Sequence, residues 1–202
     1  MEFKDVMEVA IEYELKFRAT AAVLEQLRQL YAQNAVRYQM ETTYYDTPSG
    51  ALSARYYTLR RRMENDLSVC TLKCPAPDGR LELETRCSSI EQALHQLYQM
   101  GAPEDLPQLV QEGLIPVCGA KFTRLAATLT PAECTVELAL DQGVLTGGSQ
   151  TVPLCEVEVE LKGGSKDAAT LFALELAQKY GLCLENRSKF RRALALYKGE
   201  AL

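Results

Sequence analysis

The sequence predicts an α+β fold: eight or nine mostly antiparallel strands forming a barrel or sandwich, with three or four helices packed outside. Three observations predict it. Stretches whose hydrophobicity alternates with a period of two recur at fairly even spacing, bounded by Pro, Gly, Asn or Asp. Stretches of helical periodicity, with identifiable caps, interrupt them. Finally, 47% of the 202 residues are hydrophobic, which supplies one sizeable core in a chain too short for two full domains.

The elements follow in order. Ile11 to Arg18 alternates as Ile-Glu-Tyr-Glu-Leu-Lys-Phe-Arg and reads as a strand. Thr20 is placed to cap a helix reaching about Asn34, with Val23, Leu24, Leu27, Leu30 and Tyr31 on one side. Met40 to Tyr45 reads as a short strand, ended by the turn residues Asp46-Thr47-Pro48-Ser49-Gly50. Tyr56 to Arg62 and Leu67 to Cys74 form a hairpin about Glu64-Asn65-Asp66. Pro75 to Gly79 then separates Cys74 from a strand at Arg80 to Arg86. Ser88-Ser89-Ile90-Glu91 has the form of a capping box, opening a helix that runs to about Met100 and stops at Gly101. Leu106 to Glu112 suggests a shorter helix. Lys121 to Leu129, Ala132 to Leu140 and Leu154 to Leu161 read as strands, with a turn region from Gly143 to Pro153. Ser165 caps a helix ending at Gly181, and Lys189 to Tyr197 is expected to close the chain as a strand.

Composition excludes several classes. Twenty-seven acids against 22 bases leave a net charge of −5, which disfavours broad nucleic-acid binding. No stretch approaches the roughly 20 apolar residues of a membrane span. The N-terminal residues lack the basic end and apolar core of a signal peptide, so a cytoplasmic location is expected. Seven irregularly spaced cysteines do not suggest a disulfide framework, and the single histidine, His95, leaves a Cys/His zinc site short of ligands.

Charge is placed unusually along the strands. Side chains two apart on a strand share a face. Glu12, Glu14 and Lys16 therefore lie opposite Ile11, Tyr13, Leu15 and Phe17. Arg60 with Arg62, Glu82 with Glu84, Glu137 with Asp141, and the run Glu156, Glu158, Glu160 repeat the pattern. A half-buried antiparallel strand ordinarily turns such residues to water. Three glutamates on one face repel one another, however, unless a cation joins them. With these faces turned inward, the carboxylates gather a hard cation and the Arg and Lys residues gather phosphate oxygens. Alternation alone leaves open which face is inside.

The motifs resemble those of the CYTH family, the triphosphate tunnel metalloenzymes. Glu12-Tyr13-Glu14-Leu15-Lys16 matches the family's Glu-x-Glu-x-Lys signature, and Tyr44-Tyr45-Asp46-Thr47-Pro48 resembles its Tyr-Phe-Asp-Thr-Pro turn. Leu59-Arg60-Arg61-Arg62, Thr71-Leu72-Lys73 and Arg80-Leu81-Glu82-Leu83-Glu84 resemble its next three strands. Lys121 with Arg124, Glu137 with Asp141, Glu156 to Leu161, and Ser188-Lys189-Phe190 resemble later elements. The resemblance covers residues 7–197 as a single domain. It implies an eight-stranded antiparallel tunnel with a charged lumen.

It also implies roles. Glu12, Glu14, Glu158 and Glu160 become candidate ligands for Mg²⁺ or Mn²⁺, with Glu156 as a substitute. Arg60, Arg62, Lys73 and Arg124 become candidates to hold the triphosphate, with Lys121 and Lys189 as further ones. Glu82, Glu84, Glu137 and Asp141 are expected to support these bases or a second metal. Lys16 is expected to place or deprotonate water, the latter requiring neighbouring cations. The aromatic residues Tyr44, Tyr45, Tyr56 and Tyr57 are read as outer packing.

The expected activity is metal-dependent hydrolysis of a small-molecule triphosphate, foremost inorganic triphosphate. The family also holds class IV adenylyl cyclases, thiamine triphosphatases and RNA triphosphatases. No adenine site is identifiable in the sequence, and the chain has no Trp on which to stack a thiamine. A non-catalytic binder of polyphosphate or nucleotide would keep the same Arg and Lys residues but gain nothing from the glutamates.

Overall fold

The computed structural model describes residues 13–31, 33, 35–76 and 79–201. Glu12 and the expected helix end at Asn34 lie outside the described residues.

β1 (Glu14–Arg18) leads into α1 (Ala21–Tyr31), whose first turn is capped by Thr20, its Oγ1 accepting from the Val23 amide at 3.2 Å. β2 (Ala35–Asp46) and the short α2 (Ala51–Ala54) follow. β3 (Thr58–Glu64), β4 (Leu67–Ala76) and β5 (Gly79–Arg86) form consecutive hairpins. α3 (Ile90–Gln99) and α4 (Leu106–Leu109) precede three long strands, β6 (Ile115–Leu129), β7 (Cys134–Gly147) and β8 (Gln150–Gly164). α5 (Lys166–Tyr180), β9 (Cys183–Leu184) and α6 (Lys189–Lys198) complete the chain. All seven cysteines are free. Among the described residues no helix is long and apolar enough to cross a membrane.

The strands make one sheet in the order β5-β4-β3-β2-β6-β7-β8-β1-β9, with every ladder antiparallel. The sheet is strongly curled. Side chains from β1 near one edge and from β4 and β5 at the other line the same cavity. Among the described residues no ladder joins β5 to β1.

Two apolar cores cover the outer face. α1 and α5 pack Leu24, Leu27, Ala173 and Leu176 onto Phe17, Val136, Leu138, Val157 and Val159. α3 and α4 pack Ile90, Ala93, Leu97 and Leu106 onto Leu59, Cys70, Leu72 and Leu83. Both cores consist of the apolar set of each alternating strand, so the charged set faces inward.

The third core corrects an expectation. Lys189 to Tyr197 is a helix, not a strand. Ser188 caps it by accepting from the Arg191 amide at 3.2 Å, and Gly199 ends it in the left-handed conformation at φ 71°. The segment holds no β-branched residue and is rich in Ala, Leu, Arg and Lys, which favour helix. α6 lies on the concave face, packing Phe190, Ala193 and Leu196 against Met40, Phe122, Leu145 and Leu154. Gly147 permits the approach: a Cβ there would stand 2.3 Å from the Ala193 carbonyl oxygen.

Smaller departures follow from pairing. β2 starts at Ala35 because Ala35 to Gln39 already pair with β6. The expected turn from Gly143 to Pro153 shrinks to Gly148 and Ser149, since β7 and β8 stay paired from Gly143↔Leu154 to Gly147↔Gln150. The cap of α3 is Ser89, which accepts from the Gln92 amide at 3.3 Å, one residue later than the sequence suggests.

Candidate active site

The concave face encloses a cavity of about 720 Å³. One wall is acidic: Glu14 from β1, Glu137 from β7, and Glu158 and Glu160 from β8. Register sets their grouping. Glu160 is opposite Glu14 on one side and Glu137 on the other, so three carboxylates stand in a row across adjacent strands. Lys16 is opposite Glu158, and its Nζ lies 2.8 Å from Glu14 Oε1.

The facing wall is basic. Arg60 and Arg62 from β3, Lys73 from β4 and Arg80 from β5 line it. Glu82 lies between two of them, 2.5 Å from Lys73 Nζ and 3.8 Å from Arg60 Nη2. Arg62 pairs with Glu64, and Glu84 accepts from Thr71 Oγ1 at 3.1 Å. The Nε atoms of Arg60 and Arg62 are buried without a hydrogen-bond partner. Burial, with Arg60 beside it, lowers the pKa of Arg62 from its ordinary value. Four cationic side chains, Arg60, Arg62, Lys73 and Arg80, thus gather on one side of the cavity, which suits it to receive an anion.

Deeper in, Asp141, Glu156 and Glu158 carry carboxylate oxygens within 4.8 Å of one another. Cations already meet them. Arg124 binds Asp141 with two bonds, Nε to Oδ1 at 2.8 Å and Nη2 to Oδ2 at 2.7 Å, and also touches Glu158. Lys189 Nζ lies 2.8 Å from Asp141 Oδ2 and 2.7 Å from Glu158 Oε1, and bonds Glu156. Arg192 pairs with Glu156. Burial favours the neutral forms of Lys189, Glu158 and Glu156. Against it, the carboxylates of Asp141, Glu158 and Glu156 hold the Lys189 ammonium well above its ordinary pKa. Lys189 and Arg124 hold Glu158 well below its own. Burial wins at Glu156, whose carboxyl is raised although Lys189 and Arg192 oppose it.

The inward set thus contains Lys16, Arg60, Arg62, Lys73, Arg124, Lys189, Glu14, Glu82, Glu84, Glu137, Glu158 and Glu160. Asp141 and Glu156 lie beneath the cavity surface, fully buried. Lys121 is a correction: its side chain is 72% exposed and lies 3.2 Å from Glu41. The reason is parity, since Phe122 and Arg124 point inward and a residue an odd number of positions from them points out. Tyr44 is another correction, lining the cavity with its ring 5.0 Å from that of Phe190. Lys16 lines the cavity, with Glu14 as its bonded neighbour.

Sequence reading missed Arg80, Glu64, Lys162 and Arg192. Arg80 shares the parity of Glu82 and Glu84, and Glu64 that of Arg60 and Arg62, so the same rule places both. Lys162 likewise continues the Glu158, Glu160 series. Nothing in the sequence indicates Arg192, which reaches Glu156 from a helix.

The family model of the CYTH domain matches residues 10–194. The chain belongs to the CYTH family. It is similar to the inorganic triphosphatase of Haemophilus influenzae, 27% identical over 163 residues, which are 76% of this chain and 45% of that one. The chain thus spans less than half the length of that relative. Among solved structures it is similar to the Hippeastrum protein HpAC1, proposed as an adenylyl cyclase and described as having a dominant triphosphatase activity. The TM-score is 0.66 at 15% identity, over 95% of this chain and 98% of that one. PH1819 of Pyrococcus horikoshii gives 0.56 at 23% identity, over 93% and 99%. These two likenesses show the CYTH fold.

Proposed function

We propose that residues 7–197 act as one tunnel that hydrolyses a triphosphate with the help of Mg²⁺ or Mn²⁺, inorganic triphosphate first among its substrates. The observation that carries this reading is one cavity lined by Arg60, Arg62, Lys73 and Arg80 together with Glu14, Glu137, Glu158 and Glu160. Membership of the CYTH family and the similarity to an inorganic triphosphatase support it.

The residues divide the work. Arg60, Arg62 and Lys73 bind phosphate oxygens, with Glu82 holding Arg60 and Lys73 in place. Arg80, whose Nη2 donates to Thr58 Oγ1 at 2.9 Å, extends the same wall. Arg124 and Lys189 are engaged by carboxylates and stiffen the acidic wall. Glu14, Glu158 and Glu160, with Asp141 and Glu156 beside Glu158, would hold a hard divalent ion, which takes oxygen ligands and keeps several waters; Glu12, the further candidate ligand, lies outside the described residues. Such an ion supplies neutralisation of phosphate charge and polarisation of the reacting oxygens. Lys16, bonded to Glu14 beside the acidic row, is placed to orient the attacking water or to take its proton. Water adds to the terminal phosphorus, the bridging P–O bond breaks, and diphosphate and phosphate leave.

Phosphate release from triphosphate, ATP and thiamine triphosphate, each with Mg²⁺, Mn²⁺ or excess chelator, tests the reading. Expected is metal-dependent release, fastest from triphosphate. No release from any of them makes the chain a binder, and cyclic AMP from ATP makes it a cyclase.

A further inference from the structure

We propose that Arg80 and Arg191, the latter held by Tyr56, form an outer anion subsite at one mouth of the cavity, which takes the fourth phosphate of an inorganic chain longer than triphosphate. The inner part of the track, Arg60, Arg62 and Lys73, rests on the proposed function; the outer part rests on the geometry of Arg80, Arg191 and Tyr56.

The basic wall continues beyond the residues assigned to the triphosphate. Arg62, Arg60 and Thr58 share one face of β3, and all line the cavity. At the level of Thr58 the cation comes from β5: Arg80 lines the cavity and donates from Nη2 to Thr58 Oγ1 at 2.9 Å. Arg62 to Thr58 spans roughly 13 Å of extended strand. Arg191 stands further out. It is exposed, and it follows the cavity-lining Ser188, Lys189 and Phe190 in the first turn of α6. Burial lowers the pKa of Arg80 from its ordinary value, Glu82 opposes this, and the charges of Arg191 and Arg60 lower it further. Arg80 therefore feels a cation on either side. Among the described residues Arg191 has no carboxylate partner. A triphosphate held by Arg60, Arg62 and Lys73 leaves Arg191 unused, whereas a longer chain of the same chemistry adds one phosphate per step toward it.

Tyr56 accounts for the placing of Arg191. It follows α2 in a Schellman turn: its amide donates to the Ser53 carbonyl at 3.0 Å, and the Tyr57 amide donates to that of Leu52 at 2.9 Å. The turn puts Tyr56 at φ 60°, where Gly is usual and a residue with a β-carbon is strained. Burial does not offset that strain, since Tyr56 is 66% exposed. Its ring meets the Arg191 guanidinium instead, with Cζ 6.0 Å from the ring centroid, at the reach of a cation–π contact. Strain kept on the surface with no packing to support it marks a functional position.

The test is the affinity of the full chain for inorganic triphosphate and for inorganic tetraphosphate, measured by calorimetry in excess chelator. The unsubstituted protein is expected to bind tetraphosphate about tenfold more tightly, the gain from one exposed charge-assisted contact. Arg191→Ala is expected to lose that preference. Tyr56→Gly, whose backbone suits the left-handed turn, is expected to reduce it. Equal affinities in the unsubstituted protein overturn the proposal, as does a preference retained in full by either folded variant. Phosphate release from triphosphate with Mg²⁺ separates this result from the proposed function. Release without a preference for tetraphosphate defeats the subsite alone. A preference without release defeats hydrolysis alone, and binding of neither chain defeats both.

Discussion

The guanidiniums of the basic wall and that of Arg124 are the same group in two different states. Arg124 spends two bonds on Asp141 and a third on Glu158. Arg60 and Arg62 each keep a buried Nε without an acceptor. Arg192 mixes the two, with Nη2 on Glu156 and an unpartnered Nε. Charges tied to fully buried carboxylates hold the fold together, whereas Arg60 and Arg62, paired with the cavity-lining Glu82 and Glu64, stand where an anion in the cavity meets them.

Breaking the satisfied cluster should give the largest effect. Arg124→Ala takes the two-bond partner from the buried Asp141 carboxylate and leaves it Lys189, so the loss should approach the roughly 3–5 kcal/mol of a broken buried ion pair. Urea unfolding should show that loss; a midpoint like that of the unsubstituted chain would put Arg124 in the ligand-binding class instead. The opposite pattern is expected across the cavity. Arg60→Ala or Arg62→Ala should lose ~1.5–3 kcal/mol of transition-state stabilisation, roughly ten- to a hundredfold in kcat/KM, with little change in melting temperature. Kinetics and melting curves on the same samples check both halves.

Acid titration sharpens the comparison. Glu158 is held well below its ordinary pKa of 4.5, so the folded state prefers its ionised form. The stability it contributes is present above pH 4.5 and is lost as pH falls below that value. Melting temperature should therefore drop on acidification, and Glu158→Gln should start lower and drop less. An equally steep fall in the variant places the acid-sensitive group elsewhere.

The smallest effects belong to the outward face. Arg61, bonded through Nε to Ser68 Oγ at 2.9 Å, sits between two lumen residues but points away from the cavity. Arg61→Ala should change stability by no more than about 0.5 kcal/mol and leave turnover intact. Lys121→Ala should do the same, because its partner Glu41 is itself exposed to solvent. Loss of activity in either variant would reverse the assignment of faces.

Much of the site was legible because it sits on strands. Tyr13, which alternates with Glu14, packs outward with its hydroxyl 2.6 Å from Thr170 Oγ1, as the period of two requires. The same rule separates Arg60 and Arg62 from Arg61, and it places Arg80 once applied to the whole of β5. Lys121 was misread because its pairing with Arg124, three positions on, was followed where parity should have decided. α6 was misread because Phe190, Leu194 and Leu196 are all of even number, which mimics a strand over so short a span.

By itself the sequence determined which side chains share a face, since alternation follows from the covalent geometry of an extended chain. It also determined the outer helices α1, α3 and α5, through their caps and apolar stripes. Only the tertiary structure decided which face became the lumen, because that depends on how the sheet curls and what the helices cover. It alone decided that Lys189 belongs with Asp141, Glu156 and Glu158. Those partners lie 31 to 48 residues away, and only a helix seated on the concave face at Gly147 brings the ammonium to them.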